Sequence, residues 1–376
     1  MNSFIKNEKP FKNSYSTSNT MPTINKPQSS DKLSMVNRLP ISPLLITYPK
    51  YKKSICSSIS KGIIKVYGVN SYRGLVKKYN EDTVSIVLNI PKPKKYKGYW
   101  PQNVSTFCLF DGHSGNCCSN FLKEHFNAYF VRSSYFPENI ENAIYDTFAR
   151  LENDFISRIA IGSDGSLKDK SGSCALVTII VDDFIYIANI GDSRAVISLN
   201  NGNEVIQATN DHNPQAQSEK KRIIDNEGVI YKVNSFNVLY RIIPGNLSVS
   251  RTIGDVTSKV PFLGGKLGVI ISTPSIVKFK NDKEIDFILM GNHGIFSKVE
   301  NEDLIKGIWS TFDYNESLGK NVNEQGGICA DMALKLAMYH KSKDNVSAII
   351  IGFDNFERQY KSNSSQFHLN AKTIEK

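Results

Sequence analysis

Ser105-Thr106-Phe107-Cys108-Leu109-Phe110-Asp111-Gly112-His113-Ser114-Gly115 is the stretch on which the reading of this chain turns. An apolar, strand-like run ends on one carboxylate, and a Gly and a His follow at once. A carboxylate at the end of a buried strand, next to a Gly that lets a cation or its water approach the backbone, is a natural ligand for hard divalent ions. His113 then stands close enough to donate a proton. On its own the stretch reads more simply as a strand closed by an Asp-Gly turn. The choice depends on whether carboxylates from elsewhere in the chain converge on it.

Upstream, Gly62 to Gly68 reads as a strand, and a loop then delivers Glu81 and Asp82 to the start of a second strand, Thr83 to Leu88. Consecutive strand residues point to opposite faces, so if one of these carboxylates reaches a metal the other holds water or backbone. Downstream, Phe121, Leu122 and Phe126 fit one helix face. Pro137 stands at the start of another helix, whose apolar stripe is Ile140, Ile144, Phe148, Leu151 and Phe155. After a polar, Gly-rich loop, three apolar strands follow: Cys174 to Val181, Phe184 to Ile190 and Ala195 to Leu199. Asp182-Asp183 joins the first two as a hairpin, and Gly191-Asp192-Ser193-Arg194 is an acidic turn between the second and third. Connections this short predict antiparallel sheets packed as a β-sandwich rather than a doubly wound parallel sheet. Asp211 to Pro214 opens a short helix in which Glu219 and Arg222 can pair. Late in the chain, a strand at Ile285 to Met290 ends in Gly291-Asn292-His293-Gly294, an amphipathic helix carries Ala330, Ala333, Leu334, Ala337 and Met338, and Asp344-Asn345 introduces the strand Val346 to Phe353.

With 376 residues, 40% of them apolar, the chain can bury one large core or two modest ones. The net charge of +10 is uneven: residues 1–61 hold ten Lys and Arg against Glu8 and Asp31. The basic part is a tail, which also lacks the interleaved aromatics of a nucleic-acid reader, so no nucleic-acid partner is expected. No apolar run approaches the roughly 18 residues of a membrane span, no signal-peptide core opens the chain, and Asn2 in place of Gly excludes N-myristoylation. The six cysteines have no paired zinc spacing and read as reduced thiols of a cytoplasmic or nuclear protein. The expected organisation is a basic Ser/Asn/Lys-rich tail over 1–60, in which Ile41 to Tyr48 is a short apolar patch, a domain over 61–354, and a polar tail over 355–376.

The ordered series Asn80-Glu81-Asp82, Phe110-Asp111-Gly112-His113, Ser171-Gly172-Ser173, Ala188 to Arg194, Asp211-His212, Leu247 to Arg251 with Gly254-Asp255, and Asp344-Asn345 resembles the metal-dependent type 2C (PPM) protein serine/threonine phosphatases over roughly residues 60–354. Tyr79 to Asp82 and Gly294 to Lys298 look nearest to protozoan members. The resemblance implies an α+β fold, a four-layer α/β/β/α sandwich of two antiparallel sheets flanked by helices. It implies two Mg²⁺ or Mn²⁺ ions at one end of the sandwich. Asp111 would bridge both, Glu81 and the Gly112 carbonyl would serve one, and Asp344 the other. Asp82 would orient metal-bound water, Asp192 would belong to a weaker third site, and His113 would protonate the departing serine or threonine oxygen. Phosphoserine and phosphothreonine proteins are the implied partners of a monomeric enzyme.

The sequence departs from that pattern at four positions. His293 stands where the family has a metal-binding Asp, and Ser297 where a further Asp is common. Lys77 replaces the Arg that clamps substrate phosphate, and Ser114 replaces a Gly. Lys keeps the charge of Arg but loses its planar fork; Arg73 is nearby but out of register. His293 exchanges an anionic oxygen for a neutral nitrogen, which shifts preference from Mg²⁺ toward Mn²⁺; the alternative is a loop histidine that binds nothing. Two readings stand: a phosphatase of reduced activity, with two ions or fewer, and a pseudophosphatase that binds without turnover. Arg194, Arg251 and Asp255 read equally as a structural ion-pair network under the sheets or as residues that touch substrate, His212 is expected to order a turn, and the Cys117-Cys118 pair lies in a buried helix start.

Overall fold

Val104–Phe110, Ile285–Gly291 and Val346–Gly352 are buried at every residue. A strand can be apolar on both faces only if each face is covered, so these continuous runs require a layer on either side. The computed structural model of the chain, which describes residues 52–233, 239–313 and 321–362, supplies them. The tail up to residue 51, with its patch at Ile41 to Tyr48, lies outside the described residues, as does 363–376.

In chain order the strands of the two large sheets are β1 (Ile55–Cys56), β2 (Val66–Tyr72), β3 (Thr83–Val87), β4 (Val104–Phe110), β5 (Ala175–Val181), β6 (Phe184–Ile190), β7 (Arg194–Leu199), β8 (Glu204–Gln207), β9 (Ser275–Lys280), β10 (Ile285–Gly291) and β11 (Val346–Gly352). One sheet runs β1-β2-β11-β10-β7-β8 and the other β9-β6-β5-β4-β3, every pairing antiparallel. Val181 pairs with Phe184, so Asp182-Asp183 is the expected two-residue hairpin loop.

The period of two sorts the side chains into layers. Phe107 and Leu109 of β4 face the six-stranded sheet and pack, with Leu176 and Ile187 of their own sheet, against Ile288, Met290 and Ile349. Cys108 and Phe110 face outward, where α1 (Cys117–Val131) and α2 (Ile140–Phe155) cover them with Phe126, Phe148 and Phe155. On the far side Phe287, Leu289 and Ile350 meet the helices Asn301–Ser310 and Val322–Tyr339 through Ile305, Ile308, Ala333 and Leu334. This is the four-layer α/β/β/α arrangement that the resemblance implies.

The chain departs from expectation at several element ends. The strand read at Gly62 to Gly68 begins only at Val66 and continues to Tyr72, and β1 pairs with it from within the stretch read as tail. Apolar content alone could not fix that start, because Ile63 and Ile64 lie in a turn. The helix after Asp211 starts at Gln217, capped by Ala216, and the second long helix is capped by Asn139 rather than begun by Pro137. At the other end Phe356 is fully buried, so the domain's core reaches past residue 354. Among the described residues no helix is long and apolar enough to cross a membrane.

In antiparallel sheets the end of one strand lies beside the beginning of its neighbour. Phe110 therefore pairs with Thr83, and Gly291 with both Arg194 and Ala348. The acidic turns next to these residues meet at one end of the sandwich.

Candidate active site

Asp111 follows the last residue of β4, and its backbone carbonyl accepts from Cys174 N at 2.9 Å. Its Oδ2 accepts from the backbone N–H of His293 at 3.2 Å. Burial, together with the charges of Asp192 and Asp344, pushes the Asp111 carboxyl up to about 6. Gly112 sits so close to the loop before β3 that a Cβ there would lie 2.3 Å from the Glu81 carbonyl. Only Gly permits that approach, which packs the Glu81 backbone against the residue that follows Asp111. Glu81 is buried; its Oε1 accepts from Gly115 N at 2.7 Å and its own N–H donates to Asn345 Oδ1 at 3.0 Å. The adjacent Asp82, also in the loop before β3, makes different contacts. Its Oδ2 accepts from Ser347 Oγ at 2.6 Å and Asn292 Nδ2 at 2.9 Å, whereas its buried Oδ1 has no donor among the described residues. Burial and then the charge of Asp111 raise Asp82 well above the ordinary carboxylate range.

His293 and Asp344 come from the opposite sheet, and Asp192 from the turn in which the chain crosses from β6 to β7. His293 opens the short helix His293–Phe296, and its Nδ1 lies 2.8 Å from Asp192 Oδ2. Asp192 raises the ring to about 9 against the effect of burial, and the pair holds Asp192 below its ordinary value although burial favours the opposite. Lys77 Nζ lies 3.0 Å from Asp344 Oδ1 and 3.4 Å from Glu81 Oε2. Burial would lower its pKa, but Asp344 and Glu81 raise it on balance. The guanidinium of Arg73 donates to the Lys77 carbonyl at 2.6 Å and so holds this loop. Ser114 takes the left-handed conformation, φ 59°, that suits the Gly it replaces, and Ser297 ends the short helix.

His113 is placed by a small three-stranded sheet, in which it pairs with Gly172, and Gly172 in turn with Gly254. Its Nε2 lies 2.8 Å from Oδ2 of Asp255, which is buried and held at φ 49°. A Cβ on Gly172 would stand 1.9 Å from Asp255 Oδ2, so that Gly makes room for the pair. Burial works to lower His113, but Asp255, then Asp111 and Asp192, raise it to about 9. Behind this pair, Glu152 of α2 accepts from Gly254 N at 2.8 Å and is itself neutralised by Lys259.

Of the two roles left open for Asp255, the arginine network is ruled out, for its carboxylate is engaged by His113. Arg194 pairs with Asp211 at 2.8 Å, and Arg251 and Arg222 both pair with Glu219, each at 2.6 Å. Ser347 and Glu152 are site-supporting residues that the sequence did not flag, and Asn292 and Asn345 stood in the quoted motifs without a role. Only the Asn preceding His293 and the Asn following Asp344 carried a signal, as polar residues beside motif residues at strand ends. Cys118 is buried and Cys117 partly so, and all six cysteines are unpaired.

His212 does order a turn. Its Nδ1 accepts from Gly191 N at 3.2 Å, so the ring must be neutral. Burial, with Arg251 and Arg222 adding to it, pushes its pKa down to about 4. A depressed folded-state value means stability present above the unfolded value of about 6.5 and lost as pH falls through about 4. The expected loss is about 3 kcal/mol over that window. Urea unfolding of His212→Gln should show a flatter pH slope there, and a slope equal to the native one would refute the assignment.

The protein phosphatase 2C family model matches residues 75–346. The chain belongs to this family. Among curated relatives, the rice "Probable protein phosphatase 2C 52" is 28% identical over 252 residues, which cover 67% of this chain and 45% of the rice protein. The Arabidopsis "Probable protein phosphatase 2C 59" is 27% identical over 250 residues, covering 66% of this chain and 70% of that protein. The chain thus spans less than half of the rice relative. Among solved structures, a Toxoplasma gondii serine-threonine phosphatase 2C aligns with a TM-score of 0.61 at 16% identity, covering 80% of this chain and 99% of that one. A C. elegans sex determining protein aligns with a TM-score of 0.61 at 20% identity, covering 83% and 68%. These likenesses establish the fold.

Type 2C phosphatases generally depend on Mg²⁺ or Mn²⁺. Here Asp82 Oδ1 is buried without a donor among the described residues, and the carboxyls of Asp82 and its neighbour Asp111 are both pushed upward, the pattern of a site short of positive charge. Glu81, Asp111, the Gly112 carbonyl, Asp192 and Asp344 are all hard oxygen donors, which fits such an ion. Among the described residues, however, no three His, Cys, Asp or Glu side chains are already gathered closely enough to close on one ion. Lys77 and His293 stand among the carboxylates instead.

Proposed function

We propose that this type 2C family member is a protein serine/threonine phosphatase that hydrolyses phosphoserine and phosphothreonine with reduced turnover and a preference for Mn²⁺ over Mg²⁺. The observation that carries this reading is the convergence of Glu81, Asp82, Asp111, Asp192 and Asp344 beside a His113 pinned by Asp255. A divalent ion held by Asp111, Glu81, Asp344 and the Gly112 carbonyl would neutralise phosphate oxygens and supply a water of lowered pKa. Asp82, fixed through Oδ2, presents Oδ1 to orient that water by accepting one of its protons. In a protonated imidazole both nitrogens carry a proton. With Nε2 engaged by Asp255, the Nδ1 proton is the one His113 gives to the leaving serine or threonine oxygen.

A second reading, a binding or regulatory module without turnover, is favoured by the His293–Asp192 pair, which occupies two proposed ligand positions with each other. The metal site is degenerate in both readings, and Asp192 serves at most a weaker site. The unpaired cysteines support work in the cytoplasm or nucleus. The kinship with protozoan members rests on Tyr79 to Asp82 and Gly294 to Lys298. We take the acting form to be a monomer.

The test is phosphate release from a phosphothreonine peptide by the full chain as Mn²⁺ and Mg²⁺ are raised to millimolar. Release that follows Mn²⁺ and stops with chelator is expected. A native chain inert at millimolar Mn²⁺, with release restored by His293→Asp, would establish the binding module instead.

A further inference from the structure

Lys77 joins two loops that do not need it as a link. Asn345 already ties them, accepting from Glu81 N at 3.0 Å and donating from Nδ2 to the carbonyls of Tyr79 at 3.0 Å and Arg73 at 2.9 Å. The Lys77 ammonium nevertheless reaches past this junction to Asp344 Oδ1 at 3.0 Å and Glu81 Oε2 at 3.4 Å. Both are oxygens that the proposed function gives to a divalent ion. Its side chain is 38% exposed and that of Asp344 40%, so the ammonium has a path out to solvent. A four-carbon stem with a single terminal charge can swing along such a path, whereas a guanidinium engaged by its fork is held in one orientation.

We propose that Lys77 is a built-in counter-ion that competes with the divalent metal for Glu81 and Asp344, so that loading the metal requires the ammonium to leave. This rests on the metal-holding part of the proposed function and adds a device that sets its affinity. The monocation satisfies these carboxylates while no ion is bound. It adds electrostatic repulsion when a dication arrives, because a positive charge at these distances disfavours a second one. Once displaced, the ammonium is free for the substrate phosphate, so the family's phosphate-clamping position here has two partners in turn.

Calorimetric titration of Mn²⁺ into the full chain, without substrate, tests this. Lys77→Met and Lys77→Gln should each bind Mn²⁺ about fivefold to tenfold more tightly than the native chain, a range set by two partly exposed ion pairs. Lys77→Arg, which keeps the charge, should not gain affinity. Two polar and apolar replacements are used so that a folding defect in one, seen by circular dichroism, leaves the other to decide. Affinity in the folded Met or Gln variant that equals or falls below native overturns the proposal, as does an equal gain in Lys77→Arg. No binding by the native chain or by either variant overturns it too. Because binding is read without substrate, a chain that is inert but tightens on losing Lys77 retains this inference and loses the phosphatase reading. An active chain whose variants bind no tighter does the reverse.

Discussion

Asp111→Asn is expected to cut phosphopeptide turnover by about 10³ or more and at the same time to stabilise the metal-free chain. The two effects share a cause. Asp111 is buried beside Asp192 and Asp344, and its carboxyl is pushed up to about 6. A group whose folded-state pKa is raised contributes stability that is full below the unfolded value and lost as pH rises through the folded one. For Asp111 the loss falls between about 4 and 6 and amounts to about 2–3 kcal/mol at neutral pH. Asparagine keeps the shape and still offers an oxygen to the His293 N–H, now 3.2 Å from Oδ2, but removes the charge. Urea unfolding at pH 7 in chelator, paired with turnover at millimolar Mn²⁺, reads both effects. A variant that keeps turnover within tenfold of native would remove Asp111 from the centre of the site. One that is markedly less stable would show that its charge is compensated by something other than an ion.

Removing either member of the His113–Asp255 pair should lower turnover by about 10² to 10⁴, and removing both should cost little more than removing one. Nε2 and Oδ2 are 2.8 Å apart, with Asp255 buried and its backbone N–H donating to the Ser171 carbonyl at 3.1 Å. If Asp255 acts through His113, kcat and kcat/KM should fall together in Asp255→Asn, because the proton is needed only in the transition state. Stability separates the two partners. His113→Ala strands a buried carboxylate without its cation, at a cost of about 3–5 kcal/mol, whereas Asp255→Asn leaves a neutral amide. The paired His113, raised to about 9, stabilises fully below about pH 6.5 and loses that contribution as pH rises through 9. Additive losses in the double variant would mean that the two residues serve different steps.

The sequence by itself determined the sandwich and most of the acidic site. Strand alternation, the Asp182-Asp183 hairpin and apolar runs too continuous for a one-sided sheet are local signals, and each survives in the fold. Asp111 was legible because a carboxylate that ends a buried strand stands out against an apolar run, and the order of motifs placed Glu81, Asp192 and Asp344 around it. Only the tertiary structure decided what the charged groups do to one another. Asp255 lies 142 residues from His113, and nothing in either neighbourhood marks them as partners. Lys77 read as a phosphate ligand because the family resemblance puts a phosphate-clamping Arg at its position, but its shorter contact is with Asp344, far along the chain. The start of β2 was likewise set by pairing with β11 and not by Ile63 and Ile64. Periodicity records which face of an element is buried. The pairing of charges depends on through-space distances of a few ångströms between loops, and those exist only once both sheets have closed on each other.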